Sequence, residues 1–177
     1  MADNRTKNVK RNIIWGNMGN IILMTFSFIS RTIFVYTLGA GLLGVNGLFT
    51  NILGVLSFSE LGIGTAMNYL LYKPIANNEK ETIKSLMLLY KKTYRTVAFI
   101  VALMGVLLLP FLEYLVNTDI PISEIRLYYL IYLFNSVSSY FVTYKTAYVY
   151  AIQKGYIVTN INTLGQSIVY ILQSVAL

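Results

Sequence analysis

Apolar residues dominate this chain in blocks too long for the core of a small soluble domain. Remove one residue, Arg31, and everything from Ile13 to Ser59 is uncharged. Crossing a bilayer takes about 20 apolar residues, because the hydrocarbon core is roughly 30 Å thick and a helix rises about 1.5 Å per residue. The pattern predicts five spans, at about 12–36, 45–72, 93–112, 127–150 and 156–177. A glycine-rich turn, Gly39 through Gly44, is expected to reverse the chain after the first. Lys73-Pro74 is expected to stop the second, since proline cannot continue a helix interior. A polar segment, 76–84, leads through an amphipathic stretch from Leu86 into the third span. The loop 113–124 contains Pro121, and Gln153-Lys154-Gly155 turns the chain into the fifth span. The expected fold is all-α: a polytopic transmembrane helical bundle occupying the whole of 1–177. Five spans ending without a flanking charge or tail read as a truncated chain or a sequence fragment rather than a naturally short protein.

Composition supports the membrane assignment. Hydrophobic residues make up 56% of the chain and charged residues 12%, against about 25% charged in a soluble domain. The basic amino terminus (Arg5, Lys7, Lys10, Arg11) followed by an apolar run resembles a signal peptide. That run exceeds the roughly 7–15 residues of a signal core, so it reads as an uncleaved span. The net charge of +7 would suit a nucleic-acid binder only as a patch on a soluble domain. Here the cations sit between spans and set topology, and no nucleic-acid partner is expected. Cysteine and histidine are absent, which removes disulfides, thiol and imidazole catalysis and the usual zinc sites. No glycine-rich phosphate loop appears, so ATP hydrolysis, a cofactor and enzymatic activity are not expected.

Lys and Arg concentrate at the amino terminus, in 73–95 and at Lys154, whereas 113–124 carries Glu113, Asp119 and Glu124. Positive loops stay cytoplasmic. The amino terminus is therefore expected inside, with the protein multi-pass in a bacterial cytoplasmic membrane and in contact with its lipids.

Polar residues recur within the spans at three- and four-residue spacing, which places them on one helix face. The first span carries Asn17, Asn20, Met24, Ser27 and Arg31; the second Asn46, Thr50, Ser57, Glu60, Gly64 and Asn68. The fourth carries Asn135, Ser138, Val142 and Lys145; the fifth Thr159, Thr163, Gln166, Tyr170 and Gln173. The third has no comparable stripe and is expected to meet lipid or pack peripherally. Two explanations are open for the stripes: hydrogen bonds that join neighbouring helices, or a shared hydrated cavity. Arg31 and Lys145 could instead snorkel to the interface, and Glu60 could be a structural ion-pair partner. The tyrosines read mainly as interfacial belt residues, with a sugar path as the alternative for Tyr140, Tyr144, Tyr148 and Tyr150.

The segments SRTIFVYTLGAGLLGVNGLFTNILG (30–54), FSELGIGTAMNYLLYKPIA (58–76), LMLLYKKTYR (86–95) and YFVTYKTAYVYAIQKGYI (140–157) resemble bacterial polysaccharide flippases. These belong to the multidrug/oligosaccharidyl-lipid/polysaccharide exporter superfamily. The ELGIG element and the preceding LG…LG…GLF run are the most specific part. The resemblance implies a carrier of two helical lobes, six or seven spans each, of which this chain would form most of the first. It implies alternating-access movement of an undecaprenyl-diphosphate-linked oligosaccharide across the cytoplasmic membrane for polysaccharide biosynthesis. A polysaccharide polymerase and glycosyltransferases are the implied protein partners. Arg31 and Lys145, with Asn17, Asn20 and Asn135, are then the candidate substrate-binding residues. Arginine can grip two phosphate oxygens, while lysine acts as a point charge. Glu60 would balance charge or couple the cycle to an ion. The alternatives are a cation-coupled exporter of small drugs, which needs an aromatic, carboxylate-bearing pocket; a membrane assembly protein without a transported substrate; and a membrane glycosyltransferase or ligase, for which Glu113, Asp119 and Glu124 form no recognisable motif.

The alternation of basic and acidic loops makes a testable topology. In this cysteine-free chain, a cysteine at Ser123 should react with an impermeant thiol reagent on intact cells and one at Asn78 should not. The reverse pattern would invert the orientation.

Overall fold

The computed structural model describes the chain over residues 2–57, 62–116 and 120–177, with side chains from residue 9 onward. The elements are α1 (Ala2–Leu56), α2 (Ile63–Ala76), α3 (Lys80–Leu108), a 3-10 turn (Leu109–Phe111), α4 (Leu112–Leu115), α5 (Ile122–Ala151) and α6 (Gly155–Ala176). The protein is all-α, with no strand among the described residues. Two stretches, Val9–Leu56 and Lys80–Leu115, are long and apolar enough to cross a membrane. The other segments read as spans do not reach that standard. α2 has 14 residues, too short to cross, and α5 and α6 carry too much tyrosine, serine, threonine and asparagine.

Along α1 and α2, helix boundaries depart from the sequence expectation in three places. The Gly39–Gly44 turn contracts to one non-helical residue, Gly39, with φ 85° and ψ 164°. A positive φ costs glycine nothing for want of a Cβ, so one residue redirects the backbone and Ala40 onward is helical. The span expected at 45–72 is not one helix: α1 ends at Leu56, and α2 starts after Gly62, whose φ of 86° is left-handed. The polar stripe from Asn46 to Asn68 therefore does not exist as a single face. Pro74 lies inside α2 instead of stopping it, and the helix closes at Ala76. In the last turn the missing N–H forfeits only one bond. The connection to α3 is then short, with Asn78 at φ 55° and the Glu79 N–H bonded to the Pro74 carbonyl at 2.9 Å.

The chain forms two compact units, Met1–Leu43 with Val149–Leu177, and Gly44–Tyr148. In the first, α1 and α6 meet along small and polar side chains. A Cβ at Gly19 would lie 2.6 Å from Thr163 Oγ1 and 3.4 Å from Thr159 Cγ2. Asn12 ties the α6 start to α1, accepting from the Tyr156 N–H at 2.7 Å and donating to the Gln153 carbonyl at 3.3 Å. The Arg11 guanidinium lies 5.5 Å from the Tyr156 ring centre. One side chain thus satisfies an otherwise orphan N–H of the first α6 turn.

The second unit holds most of the buried apolar core. Val45, Phe49, Leu53 and Leu56 form the buried stripe of the later part of α1; Tyr90, Tyr94, Val97, Ala98 and Val101 that of α3; Ile125, Tyr129, Leu133, Tyr140 and Ala147 that of α5. Each follows helical spacing. α3 was expected at the periphery; its buried face instead lies at the centre of this unit. A purely apolar face supplies close packing as well as lipid contact, so lack of a polar stripe did not mark it as peripheral. The belt assignment also fails for Tyr90, Tyr94, Tyr129 and Tyr140, all buried. Phe49 packs edge-on to Tyr129 and Tyr132 with ring centres 5.3 and 5.7 Å apart.

α3 and α5 run antiparallel, since Gly105 meets Leu133 and Tyr94 meets Tyr140 at 6.1 Å between ring centres. A Cβ at Gly105 would collide with the Leu133 side chain. Gly105→Ala should cost about 1–3 kcal/mol by overpacking, seen as a fall of roughly 2–10 °C in the melting temperature in detergent. Gly54→Ala, at a helical glycine with open space around it, should leave the melting temperature unchanged or raise it. Equal stability of the two variants would refute the α3–α5 seam.

Candidate functional site

A cavity of about 210 Å³ opens in the second unit, lined by Lys91, Arg95, Tyr140, Phe141 and Tyr144. Its construction follows from helix geometry. Lys91 and Arg95 stand one turn apart on α3, Tyr140 and Tyr144 one turn apart on α5, so each pair shares a face. The antiparallel packing of the two helices brings the pairs opposite each other. Tyr140 is fixed from below: its hydroxyl donates to Ser57 Oγ at 2.9 Å, just where α1 ends, while Ser57 donates to the Leu53 carbonyl at 2.8 Å. Tyr94, behind Arg95 in sequence, packs against both Tyr90 and Tyr140.

The electrostatics are one-sided. Among the described residues the only ion pair is Arg126–Glu113 at 4.0 Å, between exposed side chains and worth little. Among the described residues no carboxylate pairs with Lys91 or Arg95 and none lines the cavity. Two like charges four residues apart on a helix repel each other by about 0.2–0.5 kcal/mol. No group of His, Cys, Asp and Glu among the described residues is arranged to hold a metal.

Tyr140 and Tyr144, the tyrosines given a sugar path as their alternative, line this cavity; none of the described substrate-binding candidates does. Arg31, Asn17 and Asn20 are exposed on α1 in the first unit, while Gly19 and Ser30 take its packed face. Asn135 and Lys145 are exposed on α5 in the second unit. Lys145 comes nearest the site: its ammonium lies 5.9 Å from the centre of the Tyr144 ring, at the edge of cation–π range. Glu60 lies outside the described residues. Among the stripe hydroxyls, Thr50 and Thr159 bond within their own helix, whereas Ser57 also accepts from Tyr140 on α5, an interhelical link. Thr25, Thr32, Thr37, Thr50, Thr93, Thr143, Thr159 and Ser174 donate to the carbonyl four residues earlier in their own helix. Such back-bonding satisfies a hydroxyl in apolar surroundings without a neighbouring helix or water.

Sequence reasoning passed over Lys91 and Arg95 because they sit in a basic segment already explained as a topology signal. A usable cue was present: a cation pair and a tyrosine pair, each at four-residue spacing, on helices joined closely enough to pack antiparallel. Comparison of the chain with protein-family models, with curated proteins and with solved structures gives no match.

Proposed function

We propose that this chain acts in a carrier that moves an undecaprenyl-diphosphate-linked oligosaccharide across the bacterial cytoplasmic membrane by alternating access. In this reading the protein is multi-pass with its amino terminus inside. The observation that carries it is the sign of the cavity: Lys91 and Arg95 face aromatic walls, with no carboxylate among the described lining residues. A diphosphate lipid brings the missing negative charge. The two stretches apolar enough to cross a membrane and the resemblance of 30–54, 58–76, 86–95 and 140–157 to polysaccharide flippases support the same reading.

A cation-coupled drug exporter is the competing transport function. It requires a carboxylate to hold or exchange the coupling cation, and the basic cavity disfavours it. Arg31 and Lys145 stay in the proposal as exposed cations, each on its own unit.

Complementation tests the function. Expressed as the first lobe of a two-lobed carrier in a strain lacking its polysaccharide flippase, the chain should restore surface polymer. The double variant Lys91→Gln/Arg95→Gln should restore at most about a tenth as much at equal membrane abundance. Failure of the unaltered chain to restore polymer, despite normal membrane abundance, would contradict the flippase reading.

A further inference from the structure

We infer that the Lys91–Arg95 cavity is a binding site for a single phosphate-bearing headgroup, separate from the substrate-binding residues the sequence nominated. This goes beyond the flippase reading and rests on the cavity alone.

Size is the first constraint. At about 210 Å³ the space is smaller than the roughly 300–1,000 Å³ of typical small-molecule sites. It equals the liquid volume of about seven waters. One or two phosphate groups fit that space; an oligosaccharide does not. The site therefore holds the charged end of a lipid and leaves any sugar outside.

Chemistry is the second constraint. The guanidinium of Arg95 offers a planar fork of donors suited to two phosphate oxygens, and the ammonium of Lys91 adds a flexible charge beside it. Lys91 is half-buried and Arg95 exposed, so the pair spans the cavity from its wall to its mouth. The opposing wall is built of Tyr140, Phe141 and Tyr144, whose rings limit the competing water and present apolar surface to the first carbons of a lipid. A carboxylate offers only two acceptor oxygens on one flat group; a phosphate adds tetrahedral geometry and, as a diphosphate, further oxygens that reach the Arg95 fork and the Lys91 ammonium together.

Lys92 provides an internal control. It is exposed and adjacent in sequence, carries the same charge, and does not line the cavity. An effect of general basicity would involve it equally; a built site would not.

The test is isothermal titration calorimetry on the purified chain in uncharged detergent micelles, using farnesyl diphosphate, farnesol and lysophosphatidylglycerol as probes. Helix content by circular dichroism confirms that each variant is folded. Lys91→Gln/Arg95→Gln should weaken binding of the phosphate-bearing probe at least tenfold, Lys92→Gln by less than twofold, and farnesol should not bind. Tight binding of farnesyl diphosphate alone assigns the site to a diphosphate carrier lipid; equal binding of lysophosphatidylglycerol assigns it to bilayer headgroups, and both support the phosphate site. Unchanged binding in the folded double variant, or farnesol binding as tightly as its diphosphate, would overturn it. No binding of any phosphate probe to the unaltered chain, with intact polymer export, would sink this site and leave the flippase reading standing; binding by the unaltered chain without export would do the opposite.

Discussion

Tyr129 is fully buried and donates its hydroxyl to the Gly105 carbonyl at 3.1 Å; the seam between α3 and α5 depends on that bond. The acceptor is free for a structural reason. At the C-terminus of α3 the Leu109 N–H turns back to the Val106 carbonyl, and the chain tightens into a 3-10 turn containing Pro110. Gly105 is thereby one of the last carbonyls of the helix, a group that needs a partner from elsewhere. Tyr129 supplies it, and an unpaired buried hydroxyl or carbonyl would cost about 1–3 kcal/mol. The same glycine lets Leu133 approach one turn further along α5. Register follows: with Gly105 set against Tyr129 and Leu133, Tyr94 falls against Tyr140, and Lys91 and Arg95 fall opposite Tyr140 and Tyr144.

This register converts a charge distribution into a site. In sequence, Lys91 and Arg95 belong to the basic segment read as a topology signal. Packed against α5, they become two cations beside three rings. Both readings draw on the same residues, which stand on α3 ahead of its apolar part. Ser57 joins the end of α1 to this arrangement through Tyr140. Ser57, the residue after α1, is thus held against Tyr140 of the cavity wall.

The all-helical class, the end of α5 and the turn into α6 were legible in the sequence because they rest on local signals, an apolar run and the Gln153-Lys154-Gly155 turn; the start of α5, expected near 127 beyond a loop containing Pro121, lies at Ile122. Central packing of α3 was not legible, because an apolar helix face looks the same against lipid and against protein. The polar stripes were read as tertiary features, yet threonine after threonine is satisfied by its own helix. Hydropathy also counted Leu56 and Ile63 as parts of one span, whereas α1 ends at Leu56 and α2 begins at Ile63 after the left-handed Gly62. The tyrosines misled most. A ring with a hydroxyl suits an interface or a buried acceptor equally well, and only the freed Gly105 carbonyl and the Ser57 hydroxyl decide for burial.

Cross-linking across the seam tests this account most directly. In the cysteine-free chain, a double variant Gly105→Cys/Leu133→Cys places two thiols where a backbone and a side chain now touch. In membranes, mild oxidant should link this pair rapidly and nearly completely. Leu107→Cys/Phe134→Cys, on outward faces, should stay unlinked. Efficient linking of the outward pair with none at 105 and 133 would show a different α3–α5 register. The cavity built on the present one would then be lost.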